Sequence, residues 1–189
     1  MKKRLLAIAA VLAGAASLSA TTVIPPTFEQ LVDQAQVIFH GSVTNVTSQW
    51  VGEGAERHIV SYITFKVKDA LKGAPGQSYS MRTFGGTVDG ETMTIADGPK
   101  FEVGDDDILF VENNGTQVVP LVGIMYGRFH VRKSASGQEL VTTNEGHPLR
   151  SVARLGHPEA EEENAPALSV SAFKAAIQGR LSATTHQIP

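Results

Sequence analysis

The chain has 189 residues, of which 42% are hydrophobic and 19% charged, with a formal net charge of −3. This length predicts one domain, alone or with a tail, with enough apolar residues for a core. Nucleic acid is not expected as a partner, because phosphate contacts need an excess of Lys and Arg. The absence of cysteine excludes disulfides, thiolate metal sites, thiol catalysis and a lipid-modified N-terminal cysteine.

Residues 1–20 have the pattern of a secretory signal peptide. A basic start at 2–4 precedes an uncharged apolar run at 5–16, and small residues follow up to Ala20. The run is shorter than the ~20 apolar residues that span a bilayer, so we expect cleavage after Ala20 and no membrane span afterwards. The mature chain is then a secreted or periplasmic protein with 13 Lys and Arg against 19 Asp and Glu, a net charge of −6.

The first predicted element of the mature chain is a short helix. Thr27 and Gln30 have the spacing of a capping box, in which each side chain bonds a backbone N–H at the helix start. Apolar residues then recur every three or four positions, namely Phe28, Leu31, Val32 and Ala35. A helix of two turns is therefore expected.

From residue 37 the hydrophobic period changes to two, which predicts half-buried strands. We place them at 37–43, 59–67, 78–84, 91–95, 108–111, 121–131 and 139–142. Short glycine-rich turns separate them, and Asp89 with Gly90 is the signature of a tight hairpin. Seven or eight strands with short turns predict a mainly β fold, either a barrel or a sandwich.

Three glycines, Gly41, Gly123 and Gly127, lie on the apolar faces of their strands. Glycine there allows a strand to bend sharply, as at the corner of a small barrel. The prediction for 21–150 is therefore a small closed or partly open β-barrel, similar to the oligomer-binding barrel, with a β-sandwich as the alternative.

The composition changes after residue 150. Residues 151–168 are polar, acidic and bounded by proline, which predicts a linker. In 169–189, Ser169 or Ser171 is placed to cap a helix. The apolar stripe of that helix consists of Val170, Phe173, Ala176, Ile177 and Leu181. A helix this short needs a surface to pack on, so we expect it to dock on the barrel, with a partner-binding tail as the alternative.

Several short motifs carry a resemblance to a known group of proteins. The string 21–32 is followed by Ala35, 41–43, 48–50, 71–73, 85–86 and 99–104. This pattern resembles a group of small exported bacterial proteins, and similar domains accompany matrixin-type zinc proteases. The resemblance covers about 21–143. It implies a secreted β-barrel, and it brings no catalytic residue to this chain.

The order of helix and barrel is also similar to the netrin-like barrel of metalloprotease inhibitors. Those inhibitors chelate the active-site zinc through an N-terminal cysteine. The present chain has none, which excludes inhibition by that mechanism.

Two groups of residues are candidate metal ligands. His40, His58 and His130 lie at alternate, more polar positions of strands, where neighbouring strands would bring three imidazoles to one zinc ion. Asp105 and Asp107, with Asp106 between them, form an acidic turn of the kind that binds calcium. The alternatives are independent histidines and a solvated turn, and no cofactor is predicted.

No catalytic motif is found. The Gly-x-Ser-x-Gly elbow, His-Glu-x-x-His, phosphate-binding loops and the dinucleotide fingerprint are all absent. The expectation is a protein that is not an enzyme, although a hydrolase with a metal-dependent or serine-type site assembled from distant residues stays open.

Aromatic residues beside polar loops are the candidate recognition contacts. Trp50 precedes the polar stretch that contains Arg57, and Tyr126 is a further aromatic platform. Trp50 packed as core over one end of the barrel is the alternative. The sequence therefore predicts an exported binding module that presents loops to a protein or cell-envelope partner, such as an extracytoplasmic protease.

Overall fold

The computed structural model describes residues 24–96, 98–157 and 165–185. The predicted signal peptide and residues 158–164 of the predicted linker lie outside these ranges. Within the described ranges, no helix is long and apolar enough to cross a membrane.

The fold is mainly β, as the sequence predicted. In chain order its elements are α1 (Phe28–Gln34), β1 (Val37–Val51), β2 (His58–Lys72), β3 (Ser78–Phe84), β4 (Gly86–Val88), β5 (Glu91–Met93), β6 (Asp106–Val111), β7 (Arg128–Lys133), β8 (Glu139–Thr143) and α2 (Val170–Thr185). Short 3-10 turns lie at Gly54–Glu56, Ile124–Gly127 and Val152–Arg154.

Six strands form one antiparallel sheet in the order β3-β2-β1-β6-β7-β8, and β4 pairs with β5 in a separate two-stranded ribbon. In the described residues the outer strands β3 and β8 do not pair with each other, so the sheet is open. The partly open form of the prediction is the one observed.

The longest strands, β1 and β2, form a hairpin with register shifts after Ile38, His40 and Val43. Such bulges increase the local bend and twist. Gly41 lies beside one of them, and a Cβ there would be 2.8 Å from the carbonyl oxygen of Lys66. This glycine is therefore required by close backbone approach, in agreement with its predicted role at a bend.

Each face of the sheet carries a hydrophobic core. On one, the helix face, α1 and α2 cover strand residues such as Ile38, Phe110 and Phe129. On the other, the cavity face, Phe39, Phe65 and Leu109 pack with residues that follow β5. Since successive residues of a strand point to opposite faces, the two cores share the same strands.

Both predicted helices are confirmed, with their caps. In α1, the Gln30 N–H donates to Thr27 Oγ1 at 3.3 Å and the Thr27 N–H donates to Gln30 Oε1 at 2.9 Å. Ser169 caps α2 by accepting from the Ala172 N–H at 3.1 Å. Phe173 and Ile177 are fully buried in the helix-face core, so α2 docks on its own domain.

The predicted strand 121–131 is wrong in its first half. Gly123 has φ of 64° and Ile124 has φ of 63°, both in the left-handed region, and the chain continues as the 3-10 turn Ile124–Gly127. Regular pairing resumes at Arg128. Two consecutive residues in the left-handed region interrupt the extended conformation of a strand, and the alternation of apolar residues gave no sign of them.

Candidate binding site

A cavity of about 370 Å³ lies between the cavity face of the sheet and the β4–β5 ribbon. Its floor comes from β1, β2 and β3, and its roof from the ribbon and residues 94–95 and 98–101. The ribbon turns at Asp89 and Gly90, with φ of 52° and 83°, which confirms the predicted tight hairpin.

The floor carries a row of three hydroxyl groups. Ser48 pairs with Ser61, and Ser61 pairs with Thr83, across three neighbouring strands. Ser61 Oγ donates its one proton to the Gly85 carbonyl at 2.6 Å. In the 2.8 Å contact between the two serines, Ser48 Oγ is therefore the donor and Ser61 Oγ the acceptor. Ser48 Oγ therefore keeps acceptor capacity toward the cavity.

The ribbon approaches this row so closely that one position must be glycine. A Cβ on Gly86 would overlap the hydroxyls of Ser48 and Ser61 and lie 2.8 Å from Ser48 Cβ. Gly86 also has φ of 137°, a conformation that side chains disfavour. The roof is thus held on the floor by backbone contact.

The remaining lining is chiefly apolar and comprises Val46, Ile63, Phe84, Met93, Ile95 and Phe101, with Pro99 and Val119. Lys100 is the one charged residue among the described lining residues. A small number of fixed polar groups in an apolar cavity is typical of a ligand site.

A buried ionic network fixes the wall of the cavity at Phe101. Arg128 Nε donates to Asp107 Oδ2 at 3.0 Å, and its Nη2 lies 2.7 Å from Asp105 Oδ2. Arg128 Nη1 donates to the Lys100 carbonyl, and the guanidinium lies 4.0 Å from the Phe101 ring centroid. His130 Nδ1 contacts the other oxygen of Asp107 at 2.7 Å. The segment before β6 is therefore anchored to β7.

This network corrects the interpretation of the acidic run as a solvated turn. Asp106 and Asp107 belong to β6, and Asp107 is completely buried. The three carboxylates diverge: Asp105 and Asp107 bind Arg128, whereas Asp106 Oδ1 lies 2.9 Å from His40 Nε2 on the opposite face. The sequence gives no sign that Asp107 is buried, because its partner Arg128 is remote in sequence.

His40 lies on the helix face, where it is 3% exposed. Lys174 Nζ of α2 is 2.8 Å from His40 Nδ1 and also pairs with Asp69. An ammonium only donates, so Nδ1 is unprotonated and Nε2 donates to Asp106. The pKa of His40 is lowered by burial and by Lys174, and Asp106 opposes that shift.

The three strand histidines do not converge. His40 and His130 face opposite sides of the sheet, and His58 stacks on Phe84 at the start of β2, with 5.6 Å between ring centroids. No group of three or more His, Asp or Glu in the described residues has metal-binding geometry. The zinc and calcium sites stay predictions without support from this arrangement.

In the described residues, none of these histidines contacts a hydroxyl group that could act as a nucleophile. The partners of His40 are Asp106, Asp69 and Lys174. His58 contacts the Glu56 carbonyl, and His130 contacts Asp107 and the Asn144 carbonyl. Among the described residues, no serine or threonine hydroxyl bonds these three imidazoles, so the geometry gives no observation in favour of a serine-type site.

Two of the predicted recognition residues meet at the tip of the β1–β2 hairpin. The Arg57 guanidinium lies 4.0 Å from the centroid of the Trp50 ring, and Trp50 is half-buried. Trp50 pairs with Ile59, one row beyond the hydroxyl floor of the cavity. Tyr126 belongs to the 3-10 turn Ile124–Gly127 and does not line the cavity.

The cavity itself was not predicted. Its floor residues are far apart in sequence, and serine or threonine in a strand gives no signal of its own. The glycine pair Gly85 and Gly86 was the available sign, because consecutive glycines mark close backbone approach.

Comparison with known proteins finds no matching family model and no matching curated protein. The fold and the cavity thus define the class of protein by themselves: a mainly β domain whose open sheet carries helices on one face and a ribbon-covered cavity on the other.

Proposed function

We propose that this chain is an exported, non-enzymatic binding module and that the cavity under the β4–β5 ribbon is where it engages a protein or cell-envelope partner. The observation that carries the proposal is the cavity, with apolar walls, a fixed hydroxyl row and Lys100 as its charged lining residue. Such a lining favours an uncharged group with some hydrogen-bonding capacity.

The surroundings of the cavity support recognition by a larger partner. Trp50 and Arg57 form a cation–π pair beside it, and both residue types are enriched at binding hot spots. The sheet and its buried Arg128 network supply a rigid base for these contacts. Export rests on the sequence pattern of residues 1–20.

The test uses the untagged mature chain, immobilised and exposed to an envelope extract of the native host. We expect a specific component to be retained. Thr94 lines the cavity and is exposed, so Thr94→Trp obstructs the cavity with little demand on folding. This variant is expected to lose the component.

The matched control is Gln178→Trp, which places the same side chain on an exposed position of α2, on the helix side of the sheet. This variant is expected to retain the component. Equal retention by both variants, or stoichiometric metal in the purified mature chain, would contradict the proposal.

A further inference from the structure

Within the described part of the chain, one stretch of the main sheet has no neighbour on one side. Residues 38–42 of β1 pair with both β2 and β6, whereas in the described chain residues 45–51 pair with β2 alone. Val43 marks the end of the second contact, through bonds to the backbone of Gly104 and Asp105. We call residues 44–51, on the side away from β2, the free edge.

The outer strands of the sheet, β3 and β8, differ from the free edge because other segments bond to their outer backbone groups. On β3, Asn114 Oδ1 accepts from the Arg82 N–H, and the Val118 carbonyl accepts from the Phe84 N–H. On β8, the Val141 N–H donates to the Leu168 carbonyl, and the Val141 carbonyl accepts from Leu149. Both outer strands are therefore capped by other parts of the described chain.

Other unpaired stretches of the sheet carry charge. Residues 68–72 of β2 extend past the end of β3 and have no partner on that side among the described residues; they include Lys68, Asp69 and Lys72. Residues 131–133 of β7 have no described partner on the β6 side and include Arg132 and Lys133. Charged residues on an unpaired strand prevent it from pairing with another chain.

The free edge has no such protection. Its sequence, TNVTSQWV, contains no charged residue and no proline, and it is rich in residues that favour strands. The polar backbone groups of every second residue are offered to the next strand. A strand of this kind is a template for an added strand.

The free edge also borders the cavity. Val46 and Ser48 belong to it, and their side chains line the cavity floor. A strand added beside β1 would place alternate side chains on that same face. The uncharged edge and the largely uncharged cavity match a segment whose cavity-facing side chains are neutral.

We infer that the free edge, residues 44–51 of β1, binds an extended polypeptide segment as an additional β-strand, with neutral side chains of the segment at the cavity under the ribbon. This inference names the partner chemistry of the site in the proposed function, and it rests on that function. Backbone bonds supply the affinity, and the cavity selects the side chains.

The experiment uses the mature chain and a defined probe. The probe is an acetylated and amidated peptide as long as the free edge, in which threonine alternates with valine, with one lysine and one glutamate at its ends. We expect saturable binding, with amide exchange slowed more than about tenfold at alternate residues of 44–51. The same peptide N-methylated at alternate positions is expected to bind more than about tenfold more weakly.

A variant pair tests the edge directly. Thr47 and Gln49 are exposed, and the double variant Thr47→Lys with Gln49→Lys introduces the charge that protects natural edges. We expect about tenfold weaker binding of the probe. Ser80→Lys makes the same change on the capped strand β3 and is expected to bind normally.

Four outcomes would overturn the inference. The first is probe binding without protection of residues 44–51. The second is protection of these amides in the protein alone together with a dimer in sedimentation, which would make a second copy the occupant. The third is absence of probe binding while an envelope component is still lost with Thr94→Trp; this leaves the proposed function standing. The fourth is that the variants lose neither the envelope component nor probe binding, which would contradict both the inference and the proposed function.

Discussion

Lys174 of α2 donates a hydrogen bond to Nδ1 of His40, with 2.8 Å between the two nitrogens, and thereby joins the C-terminal helix to the middle of the sheet. Lys174 also pairs with Asp69 of β2, and the other nitrogen of His40 contacts Asp106 of β6. This contact between α2 and the sheet thus requires a neutral imidazole.

This arrangement predicts a loss of stability in mild acid. The pKa of His40 lies below its ordinary value of 6.5, because burial and Lys174 disfavour the imidazolium while Asp106 only partly compensates. The unfolded chain therefore takes up the proton first as pH falls below about 6.5, and the free energy of unfolding decreases until the lowered pKa is passed. Lys68, Lys174, Asp69 and Asp106 are the charged groups around the ring.

Urea unfolding as a function of pH measures this effect, with His40→Gln as the comparison. The variant is expected to lose the part of the slope that His40 contributes. A second decrease is expected below about 3.8, since the hydrogen bond from Lys174 lowers the pKa of Asp69. Equal slopes in both proteins below pH 6.5 would contradict the assignment.

Removal of the lysine charge is expected to raise the pKa of His40. In Lys174→Met the ammonium no longer repels the imidazolium, whereas Asp106 still favours it. The measurement is an NMR titration of the His40 ring. Lys133→Met removes an exposed lysine that does not act on His40 and is expected to leave the titration unchanged. An unchanged midpoint in Lys174→Met would show that the contact is absent in solution.

The buried network predicts a large cost for loss of Arg128. Arg128→Met leaves Asp107 buried without its cation, which costs about 3–5 kcal/mol in the free energy of unfolding. Arg132→Met, an exposed change on the same strand, is expected to cost about 0.5 kcal/mol or less. Chemical denaturation measures both, and similar costs would show that Asp107 is not dependent on Arg128.

Comparison of variants at two glycines distinguishes the cost of steric overlap from the cost of backbone strain. Gly86 and Gly90 both have positive φ, but an added Cβ meets Ser48 and Ser61 only at Gly86, with open space at Gly90. Gly86→Ala is therefore expected to destabilise the protein by about 1–3 kcal/mol more than Gly90→Ala. Equal destabilisation would mean that the ribbon does not press on the hydroxyl row.

The dispersal of the histidines predicts indifference to metal ions. Addition of Zn²⁺ or Ca²⁺ to the mature chain is expected to leave the midpoint of thermal unfolding unchanged, because His40 and His130 face opposite sides of the sheet and Asp107 is bound by Arg128. A shift that EDTA reverses and that His40→Gln abolishes would restore the predicted metal site.

Helix caps, tight turns and the apolar faces of helices could be predicted because residues close in sequence determine them. Thr27 and Gln30 cap α1, Asp89 and Gly90 turn the ribbon, and the stripe through Phe173 buries one face of α2. Each depends on residues within one or two turns of the chain, so periodicity and capping rules suffice. Residues 44–51 of β1 were not predicted as strand, because most of them are polar and show no alternation of apolar and polar residues.

The sequence by itself determined a mainly β domain with a capped helix at each end, and it narrowed the chemistry by lacking cysteine. Tertiary structure alone decided which charges are buried and which part of β1 has no neighbour on one side in the described chain. Asp107 and Arg128 are 21 positions apart, and the hydroxyl row joins three strands. Such contacts arise from the register between strands, and the register is set by how the whole sheet packs between its two cores.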